Sequence, residues 1–337
     1  MEVQNNNTFN YGIAVLRAFM CFEVVLLHFW RSPIVSYLIP FSMLKGLAVP
    51  TFMFLSFYLT GKTIIAKNNK KKTNRIKRIL YPQIGWTLIY WMIYFVIQNN
   101  FDFQINVYDL IWQLFTGHSP KLNPSMWFQV VLLLITFIFF FVFHCTDKKR
   151  SIIIIIAFLF FSLIMQYSGI NYHLFEHLRY ELKYPLGRVF EMFPYASLGI
   201  ICAYFEVFTR FDGKKCILLG IMLLSTIVLL KYRILPPADG FGYSYNNNIL
   251  LSFSIVGLFF LLPFDRLPIS FKEAIKYLSR YTLGIYSSHR LIAFFVGLIL
   301  PVDVKSFVGC ILIYILGFVL SHLFCVSFGR YGKYLVD

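Results

Sequence analysis

The chain has 337 residues, of which 58% are hydrophobic, 20% aromatic and only 14% charged. A soluble domain carries about a quarter charged residues, so a water-soluble globule is excluded. The formal net charge of +16 does not call for a nucleic-acid partner, because the cations flank apolar runs.

Ten apolar runs follow in order, at 11–31, 44–65, 79–98, 127–144, 151–168, 189–208, 216–234, 248–264, 282–300 and 307–328. Each is long enough to cross a bilayer core of roughly 30 Å. They are too long and too evenly apolar for barrel strands, so the expected fold is an all-α, polytopic transmembrane bundle. The first run follows "MEVQNNNTFNY", which has no basic leader, and is expected to be a retained helix. With both termini cytosolic, the inner connections carry 20 Lys/Arg and the outer ones with their margins 9. That excess obeys the positive-inside rule. The six cysteines show no paired spacing, so neither a disulfide framework nor a zinc ribbon is expected. A single membrane domain over 1–337, without a soluble extension, is the expected organisation.

In the first run, Arg17 and His28 stand eleven residues apart, about 16 Å along a helix and only about 20° around it. They share a face, whereas Glu23 points elsewhere. Arg17 can snorkel to inner headgroups and His28 can be a packing residue. An arginine and a histidine aligned inside a span also mark a working interior.

Before the third run, the basic stretch "KNNKKKTNRIKR" ends with Arg75 and Arg78, three residues apart on one helical turn. Two guanidinium groups there can clamp phosphates; equally, the patch can set topology against anionic lipid. "SMWF" opens the fourth run, and Trp127 within it reads on position alone as an interfacial aromatic. In an outer loop, "HLFEH" (His173, Glu176, His177) matches an inverted zinc-protease pattern. It lacks a third ligand beyond the unsupported candidates Glu181 and Glu191, so no metal site is expected. In the ninth run, Tyr286 and His289 lie three apart and Arg290 follows, again suggesting a polar interior.

These pieces in this order resemble the acyltransferase type 3 family of integral membrane O-acyltransferases. The resemblance rests on Arg17-x10-His28, "VPTFMFLSFYLTG", Arg75-x-x-Arg78 overlapping "RILYP", "SMWF", "FPYASLGIICAYF" and "YTLGIYSSH". The chain departs from common family patterns at Ala14-Val15, at Ser56-Phe57 and at Ser287-Ser288 before His289.

The resemblance implies transfer of an acyl group, commonly acetyl from acetyl-CoA, to a sugar hydroxyl of a surface polysaccharide or its lipid-linked precursor. It implies that Arg75 and Arg78 hold the CoA phosphates, and that the pantetheine arm threads past Arg17 to His28. His28 then serves as general base or transient acyl carrier, with Arg17 offsetting charge on the thioester oxygen. Trp127 carries over as part of the donor or acceptor channel. Ser125, Tyr286 and His289 are further channel-lining candidates. Acyl-CoA is a donor substrate and no tightly bound cofactor is expected. The acceptor glycan is expected at the outer face, near Asp102, Asp109, His118 and the segment from His173 to Lys183. The expected location is a bacterial cytoplasmic membrane. A glycan transporter or export partner is the rival reading.

Overall fold

A computed structural model describes residues 9–30, 46–65, 69–98, 104–119, 121–167, 180–209, 215–231, 248–300 and 302–336. Twelve α-helices are found among them: α1 (Tyr11–Phe29), α2 (Ala48–Ile65), α3 (Asn69–Ile97), α4 (Val107–Thr116), α5 (Trp127–Cys145), α6 (Lys148–Tyr167), α7 (Tyr180–Tyr204), α8 (Lys215–Lys231), α9 (Asn248–Leu261), α10 (Ile269–Arg280), α11 (Thr282–Ile299) and α12 (Phe307–Val336). Among the described residues, nine helical stretches are long and apolar enough to cross a membrane, and a shorter apolar helix covers Lys215–Leu230. All ten expected runs therefore contain a helix, and the chain is a multi-pass membrane protein.

Several boundaries differ from the hydropathy reading. The basic stretch before the third run is not a loop: α3 is helical from Asn69 onward and carries Pro82 within it. The connection after α3 contains α4, whose start is fixed by a reciprocal Asn106–Asp109 capping box and whose end is Gly117 at φ 67°. The connection before α11 contains α10, with Ile269, Phe271 and Tyr277 exposed beside Lys272 and Lys276. That mixture suits a helix lying in the membrane interface.

Two local features set the frame around α1. Asn10 caps the helix by accepting from the Ile13 amide at 2.9 Å. Glu23, buried, accepts from the Gly46 amide at 2.6 Å and the Ala48 amide at 3.3 Å. Its carboxylate therefore caps the start of α2, where the helix dipole favours negative charge. The glutamate in the first span is thus a structural clamp between α1 and α2.

The main apolar core is built on α2 and α7, with α5 and α9 closing around them. Small residues let α2 and α7 approach: a Cβ on Gly199 would lie 2.5 Å from the Phe54 carbonyl oxygen, and one on Gly61 would lie 2.4 Å from Ala203 Cβ. Phe141, Ile164, Leu224 and Val326 stay exposed on the outside, as lipid-facing residues do. A second core joins α1, α11 and α12. At Gly329 (φ 52°) the last helix breaks and the chain turns, bringing the Leu335 carbonyl 2.9 Å from Trp86 Nε1. The start of α1 meets α10, and the end of α12 meets the start of α11 at Gly284. The first and last helices therefore close on one side of the bundle.

Candidate active site

Along the α1–α11 seam the apolar packing gives way to polar groups. His28, near the end of α1, is half-buried and stacks on His289 of α11, with ring centroids 5.1 Å apart and planes 21° apart. Its Nε2 lies 3.2 Å from Ser125 Oγ, and its Nδ1 lies 3.2 Å from Arg290 Nη2. Arg290 Nε also donates to Ser125 Oγ, at 2.7 Å. Three elements thus converge on one ring: α1, α11 and the 3-10 turn Pro124–Met126 that opens α5. Tyr286 donates its hydroxyl to the Ser125 carbonyl, and His289 Nδ1 meets the Tyr286 carbonyl.

Buried amides and hydroxyls hold the turn in place. Asn123 accepts from the Ser125 amide at 3.0 Å, and its Nδ2 donates to the Ser287 carbonyl at 3.2 Å. Tyr90 donates to the same carbonyl at 2.9 Å while accepting from the Leu291 amide at 3.0 Å. Gln129 Nε2 donates to Ser287 Oγ at 2.9 Å, and Gln113 Nε2 donates to the Asn123 carbonyl at 2.7 Å. In a low-dielectric interior such a network rigidifies the groups it joins. His118 sits behind the turn, its Nδ1 3.3 Å from the Pro124 carbonyl. Burial holds its imidazole below the ordinary histidine range; the Pro124 carbonyl opposes that, while Arg188 and Arg290 add to it.

The structure brings only some of the sequence candidates together. His28, Ser125, Tyr286 and His289 are brought together. Arg17 reaches the same helix lower down, with Nη2 donating to Thr282 Oγ1 at 3.1 Å. Thr282 and His289 are seven residues apart, about two turns of α11, so Arg17 and His28 address one face of α11 at two levels.

Arg75 and Arg78 are parted. Arg75 is buried: Nε donates to Thr136 Oγ1 at 3.2 Å, Nη1 to the Ser56 carbonyl at 3.3 Å and to Thr60 Oγ1 at 2.5 Å, and Nη2 to Ser56 Oγ at 3.2 Å. Its guanidinium also lies 4.7 Å from the centre of the Phe57 ring. Arg78 faces outward and is exposed. Trp127 is buried, with the Arg188 guanidinium 4.9 Å from its ring centre. Glu191, a candidate third metal ligand by sequence, pairs with Arg188 at 2.6 Å. His173, Glu176 and His177 lie outside the described residues.

Arg290 is the residue that sequence reading placed in a polar interior without giving it a partner. Adjacent helical positions point about 100° apart, so spacing did not suggest that His289 and Arg290 both flank His28. The stacked ring and the guanidinium meet it from different directions. Chemically, the cluster combines an imidazole able to carry a proton or an acyl group with a cation able to meet a developing oxyanion.

A family model for an acyltransferase domain matches residues 10–330, nearly the whole chain. No curated protein and no solved structure matches it.

Proposed function

We propose that this chain, which belongs to the acyltransferase type 3 family, moves an acyl group from cytosolic acyl-CoA to a sugar hydroxyl with His28 as its central residue. Acetyl is the donor group we favour. The acceptor we favour is an extracytoplasmic or lipid-linked polysaccharide, reached from the cell membrane. The observation that carries this reading is the half-buried His28 ring, set between Ser125, His289 and Arg290 in a network of buried polar groups.

In the reaction the acceptor oxygen attacks the thioester carbonyl, a C–O bond forms and the C–S bond breaks. The hydroxyl proton passes to His28 and then to the departing CoA thiolate. Alternatively His28 attacks first and carries the acyl group to the acceptor. Arg290 and, one level lower, Arg17 supply positive charge along the route. At the cytosolic entrance, Arg78 and the lysines at the start of α3 meet the CoA phosphates. Arg75 anchors that part of α3 to α2 and α5 through the bonds described above.

The experiment is release of free CoA thiol from acetyl-CoA by the purified protein in liposomes. Thiol release that depends on the protein and is lost in His28→Ala supports the reading. A folded wild type that releases none, yet moves glycan across the liposome membrane, favours transport and contradicts it.

A further inference from the structure

We infer that Arg290 is a positioning residue that fixes which nitrogen of His28 carries the proton. Donors and acceptors alone decide the tautomer. A guanidinium has only N–H groups to offer and no acceptor. Arg290 Nη2 lies 3.2 Å from His28 Nδ1, so Nδ1 must present its lone pair. A proton there would set two N–H groups against each other. In a neutral imidazole the proton then sits on Nε2, which faces Ser125 Oγ at 3.2 Å. The hydrogen bond made by one ring nitrogen selects the tautomer of the other.

Ser125 Oγ is the common acceptor. It takes the Nε2 proton of His28 and the Nε proton of Arg290, the latter at 2.7 Å. The stacked partner ring is fixed the other way. His289 Nδ1 faces the Tyr286 carbonyl, which can only accept, so His289 bears its proton on Nδ1. Its Nε2 is fully buried and has no hydrogen-bond partner among the described residues. Two stacked imidazoles therefore hold opposite tautomers, each set by a neighbour on α11.

The consequence for His28 is that its basic nitrogen is Nδ1 and that Arg290 covers it. A substrate oxygen that draws the guanidinium away uncovers the lone pair at the moment an oxyanion needs the charge. This deepens the acyl-transfer reading and rests on it for its kinetic half only.

The test is nitrogen NMR of ¹⁵N-histidine-labelled protein in lipid nanodiscs, with the His28 signals assigned by their loss in His28→Gln. Wild type is expected to show His28 bare at Nδ1 and protonated at Nε2. Arg290→Lys keeps that pattern, because a lysine still only donates. Arg290→Met shifts His28 toward the other tautomer and lowers kcat for CoA thiol release at least about tenfold, with KM for acetyl-CoA little changed. Ser125→Ala, which leaves the Arg290 contact to Nδ1, keeps the wild-type tautomer and guards against a misfolded methionine variant. Wild-type His28 protonated at Nδ1, or a tautomer unmoved in folded Arg290→Met, overturns the inference. Because the tautomer is read without turnover, an inactive wild type with the expected pattern counts against acyl transfer and not against Arg290.

Discussion

The α2–α7 seam is apolar throughout its contact, whereas the α1–α11 seam combines apolar packing with a polar cluster. At α2–α7, Gly61 and Gly199 bring backbones close, and Phe54, Phe57, Ala196 and Ile200 fill the contact. In a bilayer, packing of this kind is the main force between helices, because lipid offers no hydrophobic penalty to escape. At α1–α11 Val25, Leu26, Ile285 and Ile292 pack beside imidazole, guanidinium and hydroxyl groups, each of which needs a partner to offset its desolvation. Stability alone does not require that second solution, since the first is present in the same fold. The polar groups are concentrated where the proposed reaction has a proton and a charge to manage. Arg75 shows that polarity by itself is not the signature: it is buried and hydrogen-bonded, yet it ties α3 to α2 and α5.

The sharpest way to break this contrast is to separate activity from stability. His28→Ala is expected to lower acyl-CoA turnover by about 10²- to 10⁴-fold, the usual reach of a positioned acid–base group; because His28 is only half-buried, water can take its place beside Arg290 and Ser125, and the melting temperature in detergent stays near wild type. Gly199→Leu should do the reverse. Its side chain meets the Phe54 carbonyl and Phe57, an overpacking that costs about 1–3 kcal/mol and is read as a lowered melting temperature. Protein that keeps its stability after this substitution would show that α2 and α7 do not depend on close approach.

A smaller effect separates the two arginines of α3. Arg75→Ala leaves Ser56, Thr60 and Thr136 without their donor and is expected to cost about 1–3 kcal/mol. Arg78→Ala, at an exposed position, should leave melting unchanged and weaken acetyl-CoA binding. Equal destabilisation by both would remove the division of labour proposed for them.

The smallest effect is at Asp147, which opens α6. A hydrogen bond from the Arg150 amide holds its carboxyl below the usual carboxylate range, with the Arg150 charge assisting. A carboxyl lowered on folding contributes stability above its unfolded value and loses it as pH falls through the folded one. Asp147→Ala should therefore melt slightly below wild type at neutral pH, with the gap closing in acid.

Span positions were legible because length and hydropathy alone decide what crosses a bilayer. The shared face of Arg17 and His28 was legible too, since helical geometry fixes rotation per residue. The partners on other helices were not. Glu23 could be excluded from the Arg17 face, but its role as cap of α2 depends on where Gly46 and Ala48 come to rest. Arg75 and Arg78 are three apart, and spacing cannot say which one turns into the bundle. Ser125 gains its place through Asn123, whose side chain fixes the turn and reaches Ser287 on α11. Such contacts between distant segments leave no periodic trace in the sequence.

The most direct test of His28 as the centre of acyl transfer is a paired measurement on one preparation of His28→Ala. Binding of labelled acetyl-CoA and release of CoA thiol are followed in the same liposomes. Binding close to wild type with thiol release lost is the expected result. Wild-type thiol release from the folded variant would contradict it.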